Sequence, residues 1–351
     1  MNRSKIEWCD HTWNPVTGCW HGCPYCYAQK MAVRFSGDVR LNLMAKEDYA
    51  IVTAADGTGR LYELDAPMMN ETGSVLVYPF EFEPTYHRYR MDMPDKLKMG
   101  NNIFVGAMAD IFGEWVPDRW IEEIFNACRK RPIHNYLFLT KNPGRYERIE
   151  AMGRLPADKN MWYGSTLTRP ENKRFMSNRH NTFLSIEPIH APFRIWKRDE
   201  FSPNWIIIGA ETGRRREKII PQKEWIEDIV EWCENSGIPV FMKDSLVSVV
   251  GENGMRREFP EQLRHSEISP KMEKRLFDVC SECRSKMKKS DMIVLLARSR
   301  RGEQPKQFGF MCKSCFRKFC QNSGLDVPKL AELTKNIMIE AGDGNGKVEP
   351  K

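Results

Sequence analysis

The sequence lacks the features that mark membrane-spanning, secreted or disordered chains. It has no apolar run near the roughly 18 residues that a membrane helix needs and no low-complexity tract, while 41% of its 351 residues are hydrophobic. Residues 1–19 lack the apolar core of roughly 7 to 15 residues and the small-residue cleavage site of a secretory signal. We therefore predict a soluble, cytoplasmic, globular protein with no membrane partner.

Acidic residues are scarce in one part of the chain. Residues 271–320 contain 14 Lys and Arg against 5 Asp and Glu, a net charge of +9, which leaves −2 for the rest of a chain whose total is +7. A nearly neutral chain with one basic segment suggests a polyanionic partner, and nucleic acid is the first candidate. A solvated charged face explains the charge equally well.

The 11 cysteines are an odd number, and a reducing compartment does not favour a disulfide framework. Their spacing indicates metal ligands instead. Three lie in the pattern Cys-x3-Cys-x2-Cys and four form two Cys-x-x-Cys pairs: Cys19, Cys23, Cys26, Cys280, Cys283, Cys312 and Cys315. Cys128 and Cys233 fall on apolar faces of predicted helices, where a buried thiol behaves as a small hydrophobe, and we assign them no function.

Short apolar runs alternate with helical segments from residue 103 onward, a pattern typical of βα units in a parallel sheet. Six strands are predicted, at 103–108, 136–139, 161–164, 182–186, 205–208 and 239–242, with amphipathic helices at 118–131 and 221–235. A further strand before Cys19 makes seven. The fold class is therefore α/β, with a partial or full (β/α) TIM-like barrel, and the irregular residues 36–101, with β-type alternation at 51–53 and 75–78, form an insertion after the cysteine loop.

Polar residues follow nearly every predicted strand, where βα barrels place their chemistry. These residues are Asp110, Thr140, Lys141, Ser165, Thr166, Glu187, Glu211, Thr212, Lys243 and Asp244. Any one of them can simply be a polar loop residue or a helix cap. As a set they predict a cavity at the carboxyl ends of the strands.

The first cysteine cluster, residues 17–28, suits an iron–sulfur cluster. Three close thiolates can hold three corners of a four-iron, four-sulfur cluster and leave the fourth iron open. Gly18 and Gly22 allow the loop to wrap closely, and Tyr25 can pack beside a bound nucleoside. The alternative is a zinc site that His21 or Cys9 completes.

This spacing, with an aromatic residue just before the third cysteine, resembles the radical S-adenosylmethionine (radical SAM) enzymes. The resemblance implies that Cys19, Cys23 and Cys26 ligate a [4Fe-4S] cluster, whose fourth iron binds the methionyl group of S-adenosylmethionine. One electron then cleaves the sulfonium and yields a 5′-deoxyadenosyl radical. It also implies an electron donor such as flavodoxin or ferredoxin.

More narrowly, residues 5–8, 12–19, 104–110 and 184–188 look like a phage and bacterial family of three-cysteine radical-SAM-like proteins with unassigned activity, over Lys5 to Arg264. Gly106-Ala-Met-Ala-Asp110 stands where many radical SAM enzymes carry a Gly-Gly-Glu segment. The resemblance makes Asp110 the candidate for the methionyl amino group, and it places Ser165, Glu187 and the Gly209-Ala-Glu211 turn near the ribose, carboxylate and adenine of the cofactor. We expect the catalytic residues among Asp110, Glu187 and Glu211, and we expect Asp110→Ala and Glu187→Ala to weaken cofactor binding with little loss of stability.

The two Cys-x-x-Cys pairs near the C-terminus, 28 residues apart, predict a Zn²⁺ site in a small zinc-ribbon-like or treble-clef-like module. Its spacer contains a predicted strand at 292–297 and the basic Arg298, Arg300 and Arg301. Phe308, Phe310 and Phe316 suit either stacking on nucleic acid or a small core. The predicted domains are a barrel at 1–264, a basic zinc module at 265–325, and a C-terminal helix with a flexible tail at 326–351.

The function predicted from the sequence is that of a radical SAM-type enzyme that modifies or repairs a nucleic acid or nucleotide. The first alternative is a non-catalytic nucleic-acid-binding protein with structural metal sites, and a metal-dependent hydrolase comes third. The strand-end carboxylates and the open three-cysteine site favour the enzyme, because a structural site normally brings its own fourth ligand.

Overall fold

The computed structural model describes residues 1–98, 100–193, 202–213 and 215–266. Beyond residue 266 it describes the segments 277–279, 282–283, 286–288, 292–297, 306–322, 336–339 and 348–350. The chain divides into two compact units, Met1–Glu267 and Ile268–Lys351, and each has its own sheets.

The first unit consists of strands and α-helices joined by short turns. The strands are β1 (Asn2–Arg3), β2 (His11–Trp13), β3 (Val16–Thr17), β4 (Ala50–Thr53), β5 (Arg60–Leu64), β6 (Thr85–His87), β7 (Asn102–Val105), β8 (Asn135–Thr140), β9 (Met161–Leu167), β10 (Asn181–Ile186), β11 (Trp205–Ile208) and β12 (Val240–Met242). The helices are α1 (Tyr27–Arg34), α2 (Val39–Met44), α3 (Asp118–Lys130), α4 (Gly144–Ala151), α5 (Lys223–Ser236) and α6 (Val247–Val250). Turns of 3-10 helix lie at Arg88–Arg90, Met93–Lys96, Asp244–Leu246, Glu252–Gly254 and Glu261–Ser266.

Eight strands form the main sheet, in the order β1-β2-β7-β8-β9-β10-β11-β12. β1 is antiparallel to β2, whereas the seven strands from β2 to β12 are parallel neighbours. These seven curl into a half-barrel, which confirms the prediction of an α/β fold with a partial βα barrel. Each of the six apolar runs contributes one strand, and β2 is the strand expected before Cys19.

Both faces of this sheet are buried because each strand alternates its side chains between two cores. On one face the large side chains pack together with the segments before β2 and after β12. That core contains Trp8, Phe104, Leu137, Trp162, Phe183, Trp205, Ile207, Phe241, Phe259 and Leu263. On the other face the sheet packs against the helices. A cavity can therefore form only on the first face, beside the core that contains Trp8 and Phe104.

The helices bury the faces that their spacing predicts. α3 buries Trp120, Ile121, Ile124, Phe125 and Cys128, and α5 buries Ile226, Ile229 and Cys233. Gly237 ends α5 with φ at 67°, a left-handed conformation that suits glycine. In the part of the chain that the structure describes, no helix combines the length and hydropathy needed to cross a membrane.

The insertion is part of the main core. β3, β6, β5 and β4 form a second sheet, in which Tyr86 stacks on Trp120 of α3 at a ring-centroid distance of 5.1 Å. The alternation at 51–53 lies in β4, as predicted. The alternation at 75–78 does not form a strand, because Val75 makes only an isolated bridge to Met69 and the chain then turns.

In the second unit the described residues form further strands and a helix: β13 (Phe277–Val279), β14 (Lys286–Lys288), β15 (Met292–Ala297), β16 (Lys306–Cys312), α7 (Lys313–Asn322), β17 (Asn336–Ile339) and β18 (Val348–Pro350). β13 and β14 are antiparallel, and a second sheet runs β16-β15-β17-β18. β15 matches the strand predicted at 292–297. In the segment expected to be a helix and tail, the described residues are instead the strands β17 and β18, since β17 pairs with β15.

Candidate functional site

A cavity of about 270 Å³ lies at the carboxyl ends of the parallel strands, in the first unit. Residues of the cysteine loop and of the ends of most parallel strands line this cavity. The polar and cysteine residues that line it include Cys19, His21, Cys23, Tyr25, Cys26, Asp110, Thr140, Lys141, Thr166, Glu187, Glu211, Thr212 and Lys243. The structure therefore brings the three cysteines and most of the predicted strand-end residues together.

The cysteine loop is held by backbone contacts on two sides. Gly18 N–H donates to Met108 O at 2.9 Å, and Cys19 N–H donates to Phe82 O at 3.0 Å. Gly18 has φ at 86°, and a Cβ atom there would collide with the backbone of Glu83. Only glycine fits this approach, so the loop can lie between the end of β7 and the insertion.

The three thiols are free of disulfide bonds and only partly exposed. Burial, reinforced by the negative charge of Asp110, raises the pKa of the Cys19 thiol to about 12. The Cys26 Sγ accepts the N–H of Gln29 at 3.4 Å and so caps α1. A thiolate at Cys19 therefore needs a positive centre close by, such as a bound metal.

Lys141, directly after β8, supplies a cation beside the loop. Its Nζ donates to Tyr25 Oη at 2.7 Å and to Cys23 Sγ at 3.1 Å. Burial alone would lower the pKa of Lys141, but its contacts with Tyr25 and Cys23 raise the pKa above its usual value. The ammonium group thus positions Tyr25, which lines the cavity as predicted.

Asp110 is buried and its carboxylate accepts hydrogen bonds from several donors. Oδ1 accepts from Phe112 N–H at 3.0 Å and from the Thr140 hydroxyl at 2.7 Å, and Oδ2 accepts from Lys141 N–H at 2.9 Å. His21 Nε2 lies 2.7 Å from Oδ2. Asp110 therefore ties the cysteine loop to two strand ends, a role that the sequence does not reveal.

Glu187 and Lys243 form an ion pair across the cavity, from the ends of β10 and β12. Gly209, after β11, lies against both side chains. A Cβ atom at Gly209 would lie 3.1 Å from Glu187 Cδ and 3.2 Å from Lys243 Cδ. Gly209 thus makes room for the pair but is not itself among the lining residues. Gly106, by contrast, does line the cavity, with φ at 81°.

Glu211, after β11, is buried at the cavity wall. Arg215 donates to both of its carboxylate oxygens, from Nε at 2.7 Å and from Nη2 at 2.8 Å. These hydrogen bonds lower the pKa of the Glu211 carboxyl, and His190 lies 3.6 Å away on the same carboxylate. Glu211 is therefore an ionised group with a fixed orientation.

Ser165 does not line the cavity, contrary to the prediction. Its hydroxyl is buried and accepts the N–H of Phe175 at 2.9 Å. β9 continues to Leu167, and alternation along it places Trp162 and Thr166 on the cavity side and Ser165 on the helix side. Thr166 occupies the position that was expected for Ser165.

The cavity wall also has an apolar part that sequence reasoning did not identify. It consists of Ile6, Trp8, Phe104 and Leu139. The Trp8 and Phe104 rings lie 4.8 Å apart, and Glu7 holds the segment in place by accepting the N–H of Asp244 at 3.0 Å. The sequence did contain an indication of this wall, since residues 5–8 form one of the motifs on which the family resemblance rests.

In the second unit the structure describes three of the four predicted zinc ligands. Cys283 lies in the turn between β13 and β14, Cys312 ends β16, and Cys315 lies in the first turn of α7. Phe316 is fully buried, which assigns it to a core and not to stacking on a nucleic acid. Cys280, Arg298, Arg300 and Arg301 lie outside the described residues.

Within the described ranges, no group of three or more His, Cys, Asp or Glu side chains is arranged to hold a single metal ion. A family model described as a protein of unknown function, DUF5131, matches residues 3–278. The chain belongs to this family. The DUF5131 match includes every residue that lines the cavity and stops before Cys280. No curated protein and no solved structure matches the chain.

Proposed function

We propose that the chain is a radical SAM-type enzyme whose reaction takes place in the half-barrel cavity. Cys19, Cys23 and Cys26 would hold a [4Fe-4S] cluster with one iron free for S-adenosylmethionine. The reduced cluster would supply the one electron that breaks a C–S bond of the sulfonium, giving methionine and a 5′-deoxyadenosyl radical able to take a hydrogen atom from a substrate. The observation that carries the proposal is that Cys19, Cys23 and Cys26 line one cavity together with strand-end carboxylates and lysines.

The residues present fit such a cluster. Thiolates are the ligands that iron–sulfur clusters take, and these three thiols are unpaired, close in sequence and open to one cavity. The glycine at position 18 brings the loop backbone against its neighbours without a side chain in the way. Cys19, Cys23 and Cys26 would hold the cluster, and binding would release the proton of the Cys19 thiol, whose pKa burial raises.

The other lining residues suit a charged nucleoside ligand such as S-adenosylmethionine. The Glu187–Lys243 pair and Lys141 offer both signs of charge for the amino and carboxylate groups of a methionyl moiety. Trp8 and Phe104 offer an apolar wall for a nucleobase. Asp110 already accepts hydrogen bonds from four residues, so Glu187 is the stronger candidate for the amino group.

A structural zinc site in the second unit remains part of the proposal. Cys312 and Cys315 lie where β16 passes into α7, and Cys283 lies in a hairpin turn. Both are places where paired cysteines commonly bind zinc.

The net charge of +9 over residues 271–320 supports nucleic acid as the substrate class. The affinity of the full chain for an oligonucleotide should fall steeply as the salt concentration rises. The triple variant Arg298→Ala, Arg300→Ala, Arg301→Ala should show a weaker dependence of this affinity on salt. Salt-independent binding, or none at low salt, would remove nucleic acid from the proposal.

Anaerobic reconstitution with iron and sulfide tests the cluster itself. We expect about four irons per protein and an oxygen-sensitive visible absorption in the wild type, and loss of both in Cys19→Ala. Cys128→Ala is the matched control, because Cys128 is buried in the helix-side core, away from the cavity. Unchanged iron and absorption in Cys19→Ala, or zinc as the only metal bound, would overturn the proposal and favour a binding protein with structural metal sites.

A further inference from the structure

Two loops of the first unit, at the carboxyl ends of the parallel strands, concentrate positive charge. Residues 168–179, after β9, contain four Lys and Arg against one Glu, and residues 209–218, after β11, contain four against two. The two loops together carry a net charge of +5, which leaves −7 for the rest of the chain outside residues 271–320. Charge gathered on two loops of an otherwise acidic body indicates a site for an anion.

The segment after β10 joins the two loops and places them at the cavity. His190 N–H donates to Thr168 O at 2.9 Å, and Ile189 N–H donates to Gly209 O at 3.1 Å. The ring of His190 meets the ring of Tyr25 edge-on, with the centroids 5.5 Å apart. Tyr25 lines the cavity, so the two basic loops border the same side of its mouth.

Three cations on these loops are available to a ligand. Arg169, Lys173 and Arg216 are exposed, and among the residues that the structure describes none of them has an ion pair or a side-chain hydrogen bond. Burial lowers the pKa of His190, and the positive charges of Arg169 and Arg215 lower it further, which shows that both loops act on this one histidine. An anion bound here would therefore meet charge from both loops.

Hydrogen bonds within each loop fix where the cations stand. The N–H of Arg169 donates to Asn172 Oδ1 at 2.9 Å, which closes the turn after β9. Arg216 follows Arg215, whose guanidinium is bound to both carboxylate oxygens of Glu211 at the cavity wall. Held backbones of this kind lower the entropy that a ligand must overcome on binding.

The surroundings of the three cations favour phosphate over a protein surface. No large apolar side chain is exposed among the described residues of 168–193 and 209–218, whereas protein interfaces rely on apolar and aromatic groups. Guanidinium groups bind phosphate oxygens through paired, charge-assisted hydrogen bonds. The cavity, of about 270 Å³, is close to the lower end of the roughly 300–1,000 Å³ of small-molecule sites, so a nucleotide-containing substrate would keep its phosphates outside.

We infer that Arg169, Lys173 and Arg216, which we call the phosphate rim, bind the phosphate groups of the substrate at the mouth of the cavity. The inference rests on the proposed function, because the reaction in the cavity is what makes the bound molecule a substrate. The phosphates can belong to a nucleic-acid strand or to a free nucleotide, since the rim contacts both through the same hydrogen bonds. The phosphate rim is separate in the chain from the basic residues 271–320 and belongs to the first unit.

The first test measures binding by the full chain without cluster or S-adenosylmethionine. The probes are fluorescein-labelled single strands of DNA and RNA of about 12 nucleotides, followed by fluorescence anisotropy, and ATP, followed by calorimetry. We expect Arg169→Glu with Arg216→Glu to weaken the binding of a strand, of ATP or of both by about tenfold or more, and to lower the salt dependence. A loss for the strands identifies a nucleic acid as the source of the phosphates, and a loss for ATP alone identifies a nucleotide.

The matched control is Lys130→Glu with Lys159→Glu, which changes the net charge by the same amount. Both lysines are exposed and precede β8 and β9, at the end of the sheet opposite the cavity. Screening by salt should keep the affinity of this control within about twofold of the wild type. Equal losses in the control and in the rim variant, or no binding of any probe, would overturn the inference.

The second test locates the bound probe. A strand that contains 5-bromouridine, or 8-azido-ATP where ATP is the ligand, is cross-linked by ultraviolet light, and mass spectrometry identifies the modified peptides. We expect cross-links in 168–179 or 209–218 that Arg169→Glu with Arg216→Glu removes, whereas cross-links confined to residues after 267 would overturn the inference. A chain that binds at the rim but assembles no iron–sulfur cluster would defeat only the proposed function, and a chain with the cluster but no rim binding would defeat only the inference.

Discussion

His21 Nε2 lies 2.7 Å from Asp110 Oδ2, although the two residues are 89 positions apart in the chain. The contact joins the cysteine loop to the end of the main sheet. Asp110 also accepts hydrogen bonds from Phe112, Thr140 and Lys141, so one buried carboxylate holds three segments around the cavity. The geometry of the cysteine loop therefore depends on a residue that is not one of the three proposed cluster ligands.

We predict that Asp110→Ala lowers the free energy of unfolding by about 2–4 kcal/mol, because it leaves buried donors without an acceptor. This changes the sequence-based expectation that Asp110→Ala would spare stability. Glu187→Ala should cost less than about 1 kcal/mol, since it removes one partly exposed ion pair. Urea unfolding followed by tryptophan fluorescence reports on the first unit, because all 10 tryptophans precede residue 267. Equal losses in the two variants would contradict this account of Asp110.

Lys141→Met should make the proposed cluster harder to reduce. The Lys141 ammonium donates to Cys23 Sγ, and a hydrogen bond from a charged donor to a ligand sulfur stabilises the more negative, reduced state. Loss of about 1.5 kcal/mol of such stabilisation corresponds to about 60 mV for one electron. A redox titration followed by electron paramagnetic resonance measures the shift, and Lys141→Arg should largely restore the potential. Identical potentials in Lys141→Met and the wild type would show that the contact does not persist once the cluster is bound.

Gly209→Ala should disturb the Glu187–Lys243 pair without unfolding the protein. The added methyl group would press on both side chains at 3.1–3.2 Å, which is close enough to displace them. We expect S-adenosylmethionine to bind about tenfold more weakly, as measured by equilibrium dialysis. Gly144→Ala is the control, because the nearest atom to the added methyl group would be Asn142 Oδ1 at 3.9 Å. This variant should bind S-adenosylmethionine as the wild type does. Normal binding in Gly209→Ala would exclude the pair from the ligand site.

His87 should make the first unit less stable in acid. It is fully buried beside Thr17 Oγ1 at 2.8 Å, and burial, with the nearby charge of Arg90, holds the pKa of His87 well below its usual value. A group whose pKa is lowered by folding contributes stability above its unfolded pKa of about 6.5, and that stability is lost as the pH falls toward the folded pKa.

The loss attributable to His87 should approach about 1.4 kcal/mol for each pH unit below about 6.5. Urea unfolding of the wild type and of His87→Gln between pH 7.5 and pH 5 measures it as the difference between the two slopes. If the free energies of unfolding of the wild type and of His87→Gln change equally with pH, His87 takes up its proton without cost in the folded protein.

The strands of the half-barrel could be predicted because each one buries both faces and so appears as a short apolar run. Trp205–Ile208 was predicted with its observed bounds for this reason. The same property hides the direction of each side chain. Since apolar residues lie on both faces, the sequence could not show that Ser165 faces the helices and Thr166 the cavity.

Contacts between distant segments account for the remaining differences. Nothing near Asp110 in the sequence indicates His21, and nothing near Tyr86 indicates that the insertion packs on Trp120. The β17 strand was predicted as part of a helix and tail because its pairing partner, β15, lies about 40 residues earlier. Local patterns predict which elements form, while these pairings arise only in the folded chain.

The most direct test of the central claim is the formation of 5′-deoxyadenosine from S-adenosylmethionine by the anaerobically reconstituted protein after reduction with dithionite. We predict that the wild type and Cys128→Ala form it, and that Cys19→Ala, Cys23→Ala and Cys26→Ala do not. Protein that carries about four reducible irons and binds S-adenosylmethionine, yet forms no 5′-deoxyadenosine, would contradict the account.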